Sequence, residues 1–332
     1  MRQKLENTDM HEPYRIIMNE TGGTDVLKVE HFEPRAPGPG EALVKQAASG
    51  LNFIDTYYRT GLYPVKLPFV QGSEGAGTVE AVGEGVTNVK PGDRVAYLGG
   101  GTYATHFTGP AARMVVLPDG ISEEEGAAVL LKGLTAWMLL FEIRPITDRD
   151  TVLIWAPVGG VGSVLTPWAA SLGARVIAVT SSPEKAEKAE ELGASDTIVG
   201  YEDVAKKVRE LTGGVGVDVS LDSVGKRSFD ASLSSLKKRG WMISYGNASG
   251  AADPMPPGRL AAGGSLILTR PSLFSFIDTP EDLARGARHL FAAMKTGTFG
   301  ADIGQRFYMK EAGKAHEALE SGKTTGATVL MP

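Results

Sequence analysis

The segment with the strongest chemical signature is a glycine-rich loop, residues 156–162, which reads Ala-Pro-Val-Gly-Gly-Val-Gly. The apolar run Thr151–Ala156 predicts a buried strand before it, and Val161–Leu172 predicts a helix after it. Glycines let backbone N–H groups approach phosphate oxygens, and a helix N-terminus carries about half an elementary positive charge. This strand, turn and helix predict a dinucleotide site with the pyrophosphate at the loop. A glycine-rich turn that binds nothing is the alternative.

The loop departs at one position from the G-x-G-x-x-G pattern of dinucleotide-binding turns. Pro157 stands in place of the first glycine, while Gly159 and Gly162 occupy the other two positions. Because the proline ring holds its φ angle at about −65°, we expect a proline-restricted backbone to make the tight turn.

The end of the second predicted strand, Val179-Thr180-Ser181-Ser182, bears on the choice of nucleotide. An NAD-dependent enzyme usually has Asp or Glu there to bond the ribose hydroxyls, and this chain has no acid. Ser182 reads as a helix N-cap before Pro183, which places Lys185 in the first helical turn against the helix dipole. A nearby phosphate would resolve that conflict, so the pattern favours NADPH. A solvated surface lysine is the alternative.

The elements around these motifs alternate between strands and helices, which predicts an α/β fold with a doubly wound parallel sheet. The expected strands of this sheet are Thr151–Ala156, Arg175–Thr180, Thr197–Tyr201, Val217–Leu221, Trp241–Tyr245 and Leu266–Thr269. Residues 14–120 instead read as strands and turns, which predicts a mostly β region. A long helix from Thr279 precedes a strand–helix–strand finish over Gln305–Leu330.

The 332 residues suit two domains better than one. We expect a β-rich catalytic domain over residues 1–135, in which residues 1–13 form a flexible extension. The dinucleotide-binding domain is expected over residues 136–273, and residues 274–332 are expected to return to the catalytic domain. A cleft between the two domains is then the expected ligand site.

Composition excludes several classes of function. The chain has no cysteine, so disulfides, thiol catalysis and thiolate metal sites are ruled out. The five histidines are far from one another in sequence, and we expect no metal site. The formal net charge of -5 and the scattered Lys and Arg disfavour a nucleic-acid partner. The polar N-terminus and the short apolar stretch Ala127–Ile143 predict a cytoplasmic protein without membrane contact.

Seven further motifs accompany the glycine-rich loop. They are Ser49–Asp55 (SGLNFID), Gly72–Gly77 (GSEGAG), Val89–Val95 (VKPGDRV), Leu131–Thr135 (LKGLT), Asp222–Gly225 (DSVG), Ser244–Asn247 (SYGN) and Thr269–Leu273 (TRPSL). With these motifs the chain resembles, from about Tyr14 onward, the zinc-free, zeta-crystallin-like quinone oxidoreductases of the medium-chain dehydrogenase/reductase superfamily. The resemblance implies a Rossmann domain that binds NADPH and a mostly β, GroES-like catalytic domain.

The same resemblance implies a set of cofactor-binding residues. They are Thr135, Gly159, Gly160, Val161, Ser181, Lys185, Tyr201, Ser223, Tyr245, Pro271, Leu273 and Lys323. Gly159, Gly160 and Val161 are expected at the pyrophosphate, and Ser181, Lys185 and Tyr201 at the 2′-phosphate, to which Lys323 adds charge. Thr135, Tyr245 and the Pro271–Leu273 backbone are expected near the nicotinamide. Purely structural roles as core, strand-end or turn residues are the alternatives for Tyr201, Tyr245, Ser223 and Thr135.

Asn52, Tyr57 and Tyr63 are expected to face the substrate as the catalytic residues. Zinc-dependent relatives have Cys at the position of Asn52 and His at that of Ser73, so the resemblance implies a reaction without a metal. A hydrogen bond from Asn52 or a tyrosine hydroxyl could then stabilise a developing oxyanion. Glu74 is expected in a local hydrogen-bond network. The alternatives are a capping role for Asn52 and packing roles for the tyrosines.

Without a Lewis acid, the acceptor has to be electrophilic already. The leading hypothesis is NADPH-dependent quinone reduction, by hydride or by electron transfer. The alternatives are reduction of activated C=C bonds in enones, enals or substituted acrylates, and an NADPH-binding, crystallin-like protein without turnover. The resemblance also implies a homodimer, in which Gly264–Thr269 could pair with its counterpart across a two-fold axis.

Overall fold

The computed structural model describes residues 12–332, so the first eleven residues of the expected N-terminal extension lie outside the described residues. The chain forms two compact units. Unit 1 comprises the described residues up to Leu131 together with Thr279–Ala287 and Ala301–Pro332. Unit 2 comprises Lys132–Asp278 and Arg288–Gly300. The domain bounds expected from the sequence, after residues 135 and 273, stay predictions, and Arg288–Gly300 of unit 2 lies within the segment that was expected to return to the catalytic domain.

Sixteen strands and nine α-helices occur between residues 12 and 332. Strands β1–β16 are Tyr14–Met18, Lys28–His31, Glu41–Leu51, Phe69–Val70, Glu74–Val82, Arg94–Leu98, His106–Pro110, Met114–Val116, Thr151–Trp155, Arg175–Thr180, Asp196–Val199, Val217–Asp222, Leu236–Ser244, Ile267–Thr269, Ile303–Tyr308 and Ala327–Met331. Helices α1–α9 are Phe53–Thr60, Glu123–Trp137, Gly162–Ser171, Pro183–Glu191, Val204–Leu211, Phe229–Ser235, Gly258–Ala262, Pro280–Lys295 and Ala312–Glu320.

Unit 2 is built on a six-stranded sheet with the order β11-β10-β9-β12-β13-β14. Every neighbouring pair in it is parallel. The order reverses between β9 and β12, and such a reversal leaves a crevice at the carboxyl ends of the strands. The predicted doubly wound parallel sheet is therefore confirmed.

Both faces of this sheet are covered, as β10 shows. Ile177 and Val179 are buried in a cluster with residues of α5 and α6, whereas Ala178 points to the other face and packs with Ala189 of α4. Alternate residues of a strand point to opposite faces. A strand buried on both faces is continuously apolar, which is why the sequence of β10 carries no polar alternation.

Unit 1 contains a seven-stranded sheet with the order β15-β16-β3-β5-β6-β8, in which β7 also pairs with β3. The C-terminal strand β16 runs antiparallel to β3, with Thr328 opposite Leu51. A smaller sheet has the order β2-β1-β4. Val44, Val79 and Tyr97 lie in the apolar core of the larger sheet. No helix of residues 12–332 combines the length and apolarity that a bilayer crossing requires.

Candidate functional site

The candidate nucleotide-binding residues of unit 2 lie almost entirely at one edge of its sheet. Each group directly follows the carboxyl end of a different parallel strand: Gly159, Gly160 and Val161 after β9, Ser181 and Lys185 after β10, Tyr201 after β11, Ser223 after β12, Tyr245 after β13, and Pro271 and Leu273 after β14. Neighbouring strand ends are joined by backbone hydrogen bonds from Gly200 to Thr180 (2.9 Å) and from Tyr245 to Asp222 (2.8 Å). Carboxyl ends of parallel strands form the ligand-binding edge of doubly wound sheets.

The glycine-rich loop makes a tight turn in which Pro157 holds the second position. The Gly159 N–H donates to the Ala156 carbonyl over 3.1 Å, which closes a four-residue turn. The fixed φ angle of proline suits the second position of such a turn. Ala156 itself takes a left-handed conformation with φ 53°. The proline therefore replaces the first glycine of the usual pattern without opening the turn.

The loop also fits a pyrophosphate sterically. A Cβ atom on Gly162 would overlap the carbonyl oxygen of Ala156 and backbone atoms of Pro157, so only glycine lets the helix start this close to the strand. The amides of Gly160, Val161 and Gly162 bond no backbone carbonyl of the described chain, as expected for the first turn of a helix. Such first-turn N–H groups are the usual donors to phosphate oxygens.

The second strand end has the predicted helix start. Ser182 is the N-cap of α4, its Oγ accepts from the Lys185 N–H over 3.4 Å, and Pro183 is at the first helical turn. Burial lowers the pKa of Lys185, because the surrounding protein disfavours its charge. A phosphate dianion beside this side chain would favour the charged form.

Tyr201 is the middle member of a stack of three side chains with Trp155 and Arg227. Of these three, the sequence had indicated only Tyr201. Its ring stacks on the buried Trp155 at the end of β9, with ring centroids 5.7 Å apart and an angle of 4° between planes. The guanidinium of Arg227 lies 4.7 Å from the centroid of the same ring. Burial raises the pKa of Tyr201, and Arg227 opposes that rise. Arg227 thus adds a cation near the strand ends, and no local sequence signal linked it to Tyr201.

Asp222 organises the loop that carries Ser223, and sequence reasoning did not give it this role. Its Oδ1 accepts from the N–H groups of Val224 and Gly225 at 2.9 and 3.0 Å, and from the Ser228 hydroxyl at 2.6 Å. The Ser223 hydroxyl donates to the carbonyl of Trp155 over 3.4 Å. This contact places Ser223 beside the end of β9. Its turn-forming role and a nucleotide-binding role are compatible.

Two of the cofactor candidates do not follow a strand of this sheet. Thr135 is buried in α2, which is not a strand end of the sheet. Lys323 belongs to unit 1, in the turn between α9 and β16, where its N–H donates to the Ser321 hydroxyl over 3.3 Å. Their roles toward the nucleotide stay predictions.

In unit 1, Asn52 lies at the junction of β3 and α1 as the N-cap of the helix. The carboxylate of Asp55 accepts from the Asn52 N–H over 2.9 Å, and the two residues form a capping box at the start of the helix. The side-chain amide of Asn52 donates to Glu74 Oε1 at 2.8 Å and to the Gly50 carbonyl at 3.3 Å. The hydrogens of the Asn52 amide therefore face these two protein acceptors, and its expected role toward the substrate stays a prediction.

Glu74 is fully buried and forms the local network that the sequence predicted. Besides Asn52, its carboxylate accepts from the Leu131 N–H over 2.7 Å. The donor set does not fit zinc. Asn52 and Ser73 supply an amide and a hydroxyl where zinc-dependent relatives have thiolate and imidazole, and both are bonded to carboxylates. Within residues 12–332, no three His, Asp or Glu side chains gather as a metal site.

The structure brings the two candidate tyrosines together. The rings of Tyr57 and Tyr63 meet edge to face with centroids 5.1 Å apart, and the Tyr63 N–H donates to the Tyr57 carbonyl over 3.0 Å. Tyr57 is on α1, the helix that Asn52 caps. The packing role of these rings is therefore real, and it holds Tyr63, which follows the C-terminus of α1, against Tyr57 within the helix.

A buried polar network next to Asn52 is the main feature that sequence reasoning missed. Its members are Asp55, Ser73, Tyr103, His316 and Arg59. The network reaches partly exposed Glu320, whose carboxylate accepts from Arg59 over 2.8 Å. The members come from four separate segments, since Asp55 and Arg59 share α1, so no spacing in the sequence indicated the whole cluster.

Comparisons with known proteins bear on the identity of this site. The family model described as "Alcohol dehydrogenase GroES-like domain" matches residues 38–119, and that described as "Zinc-binding dehydrogenase" matches residues 160–288. A quinone oxidoreductase of Pseudomonas aeruginosa is 47% identical over 322 residues, which cover 96% of this chain and 99% of that relative.

Two further relatives extend the comparison. The crystal structure of Escherichia coli quinone oxidoreductase complexed with NADPH matches with a TM-score of 0.94 and 40% identity, over 96% of this chain and 100% of that one. A 2-haloacrylate reductase from a Burkholderia species is 38% identical, over 95% of this chain and 98% of that relative.

Proposed function

Because the chain belongs to the quinone oxidoreductase family of the medium-chain dehydrogenase/reductase superfamily, we propose that it reduces quinones with NADPH. The observation that carries this proposal is the near-complete alignment with a quinone oxidoreductase at 47% identity. The protein is an enzyme, and its acceptor is a small molecule.

The residues of unit 2 suit NADPH. The glycine turn after β9 and the first-turn amides of α3 would hold the pyrophosphate. Lys185 and Tyr201, with Ser181, would surround the 2′-phosphate, and the absence of an acid at the end of β10 removes the usual partner of an NAD ribose. When bound, NADPH supplies the hydride that the reaction transfers.

The residues of unit 1 would bind the acceptor. Asn52 presents an amide oxygen, which can accept a hydrogen bond from a hydroquinone hydroxyl, and the tyrosines Tyr57 and Tyr63 supply aromatic surface and hydroxyl groups. A quinone needs no Lewis acid for reduction, because its carbonyl groups are already electrophilic. Catalysis then depends on holding the two reactants in contact.

The direct test measures the loss of NADPH absorbance with a panel of acceptors and a metal chelator present. We expect turnover with 1,4-benzoquinone and 9,10-phenanthrenequinone that exceeds turnover with alkenals and 2-haloacrylates. NADPH oxidation with none of the quinones would contradict the proposal. Tight NADPH binding without turnover on any acceptor would instead indicate a binding protein.

A second candidate function is the reduction of activated C=C bonds. It is supported by the 38% identity to a 2-haloacrylate reductase over nearly the whole chain. The same acceptor panel separates the two functions, because a haloacrylate reductase would prefer 2-haloacrylates to both quinones.

We also propose that two copies pair through β14. This strand is the last of its sheet and, among the described residues, pairs only with β13. Ile267 on it is exposed, and an open edge with an apolar side chain is a suitable surface for a second copy. The cytoplasmic location expected from the sequence stays a prediction.

A further inference from the structure

Asp55 is a buried carboxylate whose hydrogen-bond partners are all uncharged. Its side chain is fully buried in the first turn of α1. Oδ1 accepts from the Ser73 hydroxyl at 2.6 Å, while Oδ2 accepts from the Asn52 N–H at 2.9 Å and from the Tyr103 hydroxyl at 3.1 Å. A capping carboxylate would not need this burial, since exposed caps are common.

Arg59 fixes the direction of the hydrogen bonds that run through His316 and Tyr103 to Asp55 Oδ2. Arg59 Nη1 lies 3.3 Å from His316 Nδ1, and because arginine can only donate, Nδ1 has to accept. Burial lowers the pKa of His316 to about 3, so the ring is neutral and carries its proton on Nε2. Nε2 then donates to the Tyr103 oxygen, 3.3 Å away, and Tyr103 donates to Asp55.

Only the bond between Asp55 and Ser73 can therefore reverse. Burial raises the pKa of Asp55 to about 6, and Glu74 adds to the rise, so the protonated acid is accessible near neutral pH. Its proton has to lie on Oδ1, because Oδ2 already faces two donors. From Oδ1 the acid donates to Ser73 Oγ. The Ser73 hydroxyl then no longer donates to Asp55 and can donate to another acceptor.

Ser73 also lies beside the expected acceptor site. The Asn52 N–H and the Ser73 hydroxyl contact the two oxygens of one carboxylate, and the Asn52 amide is bonded to Glu74, the residue after Ser73. A molecule that touches Asn52 is thus within reach of Ser73. Since the Asn52 amide hydrogens are occupied, the hydroxyl of Ser73 is a better donor to that molecule.

We propose that Ser73 delivers the proton that quinone reduction consumes, and that Asp55 stores this proton and passes it to Ser73. This inference rests on the proposed function. The hydride brings two electrons and one hydrogen to the quinone, which oxidises NADPH to NADP⁺ and leaves one quinone oxygen as an anion. The Ser73 O–H bond breaks as a new O–H bond forms on that anion. The Asp55 O–H bond breaks as its proton restores the serine hydroxyl.

The cycle closes through solvent. After hydroquinone leaves, the Asp55 carboxylate takes a proton from water through Ser73, in the reverse direction. Arg59 cannot supply this proton, because the guanidinium does not dissociate in proteins. The side of the network that contains Tyr103 and His316 therefore orients Asp55 and does not conduct protons.

The experiment compares Ser73→Ala, Ser73→Thr and Asp55→Asn with wild type, using NADPH and 1,4-benzoquinone. The control is Ser49→Ala, which removes the hydroxyl of a buried serine on β3 that bonds the Glu74 backbone carbonyl and not Asp55. We expect Ser73→Ala and Asp55→Asn to lower kcat by about 100-fold or more, the usual range for loss of proton transfer. Ser73→Thr should restore most of it, since it keeps the hydroxyl. NADPH affinity, measured by protein fluorescence, should be unchanged in all four variants.

The pH profile separates proton storage from a structural role. Wild-type kcat should fall as pH rises above about 6, since the protonated fraction of Asp55 then drops about tenfold per pH unit. Asp55→Asn should be slower and lack this decline. The inference is overturned if Ser73→Ala keeps wild-type turnover, or if Asp55→Asn keeps the wild-type profile.

The two proposals can fail separately. A wild-type protein that oxidises no NADPH with any quinone refutes the proposed function, whereas normal quinone turnover in Ser73→Ala refutes only the proton route. If Asp55→Asn does not fold, the pair Ser73→Ala and Ser73→Thr decides the question by itself. Equal losses in both serine variants would also count against the route.

Discussion

Lys185 is a residue whose charge conflicts with its local element. It lies in the first turn of α4, where the helix dipole disfavours a cation, and burial lowers its pKa. Both effects disfavour the charged form of this side chain. A phosphate dianion at the same helix start would reverse both, which is the physical reason for proposing that Lys185 binds the 2′-phosphate of NADPH.

We therefore expect Lys185→Ala to weaken NADPH binding by about 10- to 100-fold, the value of one charge-assisted hydrogen bond. NADH lacks the 2′-phosphate, so its affinity should change little. Titration calorimetry with each nucleotide measures both dissociation constants. Lys295→Ala, which removes an exposed lysine of unit 2 at the end of α8, is the control. An equal loss for NADH and NADPH would contradict the role.

At the scale of elements, the strand–turn–helix motif of β9, the glycine turn and α3 depends on the close approach of the helix start to the turn backbone. Gly162 starts the helix against the carbonyl of Ala156 and the backbone of Pro157. A side chain there has to displace backbone, and backbone cannot move without opening the turn that positions the first-turn amides.

Gly162→Ala should therefore lower the free energy of unfolding by about 1–3 kcal/mol, as overpacking of a tight site does, and should abolish measurable NADPH binding. Urea unfolding and fluorescence titration test the two effects. The matched control is Gly258→Ala in α7, where a Cβ would meet nothing within 4 Å. If both alanine variants behave alike, the close approach is not what the loop requires.

A second element-scale effect concerns α9, which contributes His316 to the interior of unit 1. Burial and Arg59 lower the pKa of this imidazole to about 3 in the folded protein, against an ordinary value of about 6.5. Below pH 6.5 the His316 imidazole becomes protonated in the unfolded chain but stays neutral in the folded chain. The stability present above about pH 6.5 is therefore lost progressively as pH falls toward 3.

His316→Gln removes this contribution. We expect wild type to lose about 2 kcal/mol more stability than the variant between about pH 7 and pH 5. Urea unfolding at the two pH values gives the difference, in which other titrating groups cancel. His31→Gln, at a partly exposed histidine on β2, should keep the wild-type acid sensitivity. An identical pH dependence in wild type and His316→Gln would refute the assignment.

At the scale of the whole molecule, β14 is the strand through which the proposed homodimer would pair. As the last strand of its sheet, it leaves backbone N–H and C=O groups that a second copy could pair with. A charged side chain on an edge strand opposes such pairing for two reasons. Across the two-fold axis it would face the same charge on the second copy, and the interface would remove it from water.

Ile267→Lys should therefore shift the protein from dimer to monomer in light scattering with little change in the fold by circular dichroism. Val215→Lys replaces an exposed apolar residue elsewhere in unit 2 and should leave the dimer intact. A wild-type protein that is already monomeric, or a dimer that survives Ile267→Lys, would rule out pairing through β14.

The sequence by itself determined the features that depend on neighbouring residues. Strand periodicity and glycine punctuation predicted the parallel sheet, the turn after β9 and the Ser182 cap, because each arises from local backbone geometry. The lack of an acid after β10 can also be read from the sequence alone, and it indicated NADPH.

Only the tertiary structure decided which groups share hydrogen bonds across long separations. Asp55 and Tyr103 are 48 residues apart, and Arg59 and His316 are 257 apart. Their contacts depend on how β3, α1 and α9 pack, which no local pattern records. The same holds for Arg227 on Tyr201, and for the Asn52 amide, whose direction Glu74 sets. Side-chain direction in a site is a property of packing, and packing is a property of the whole chain.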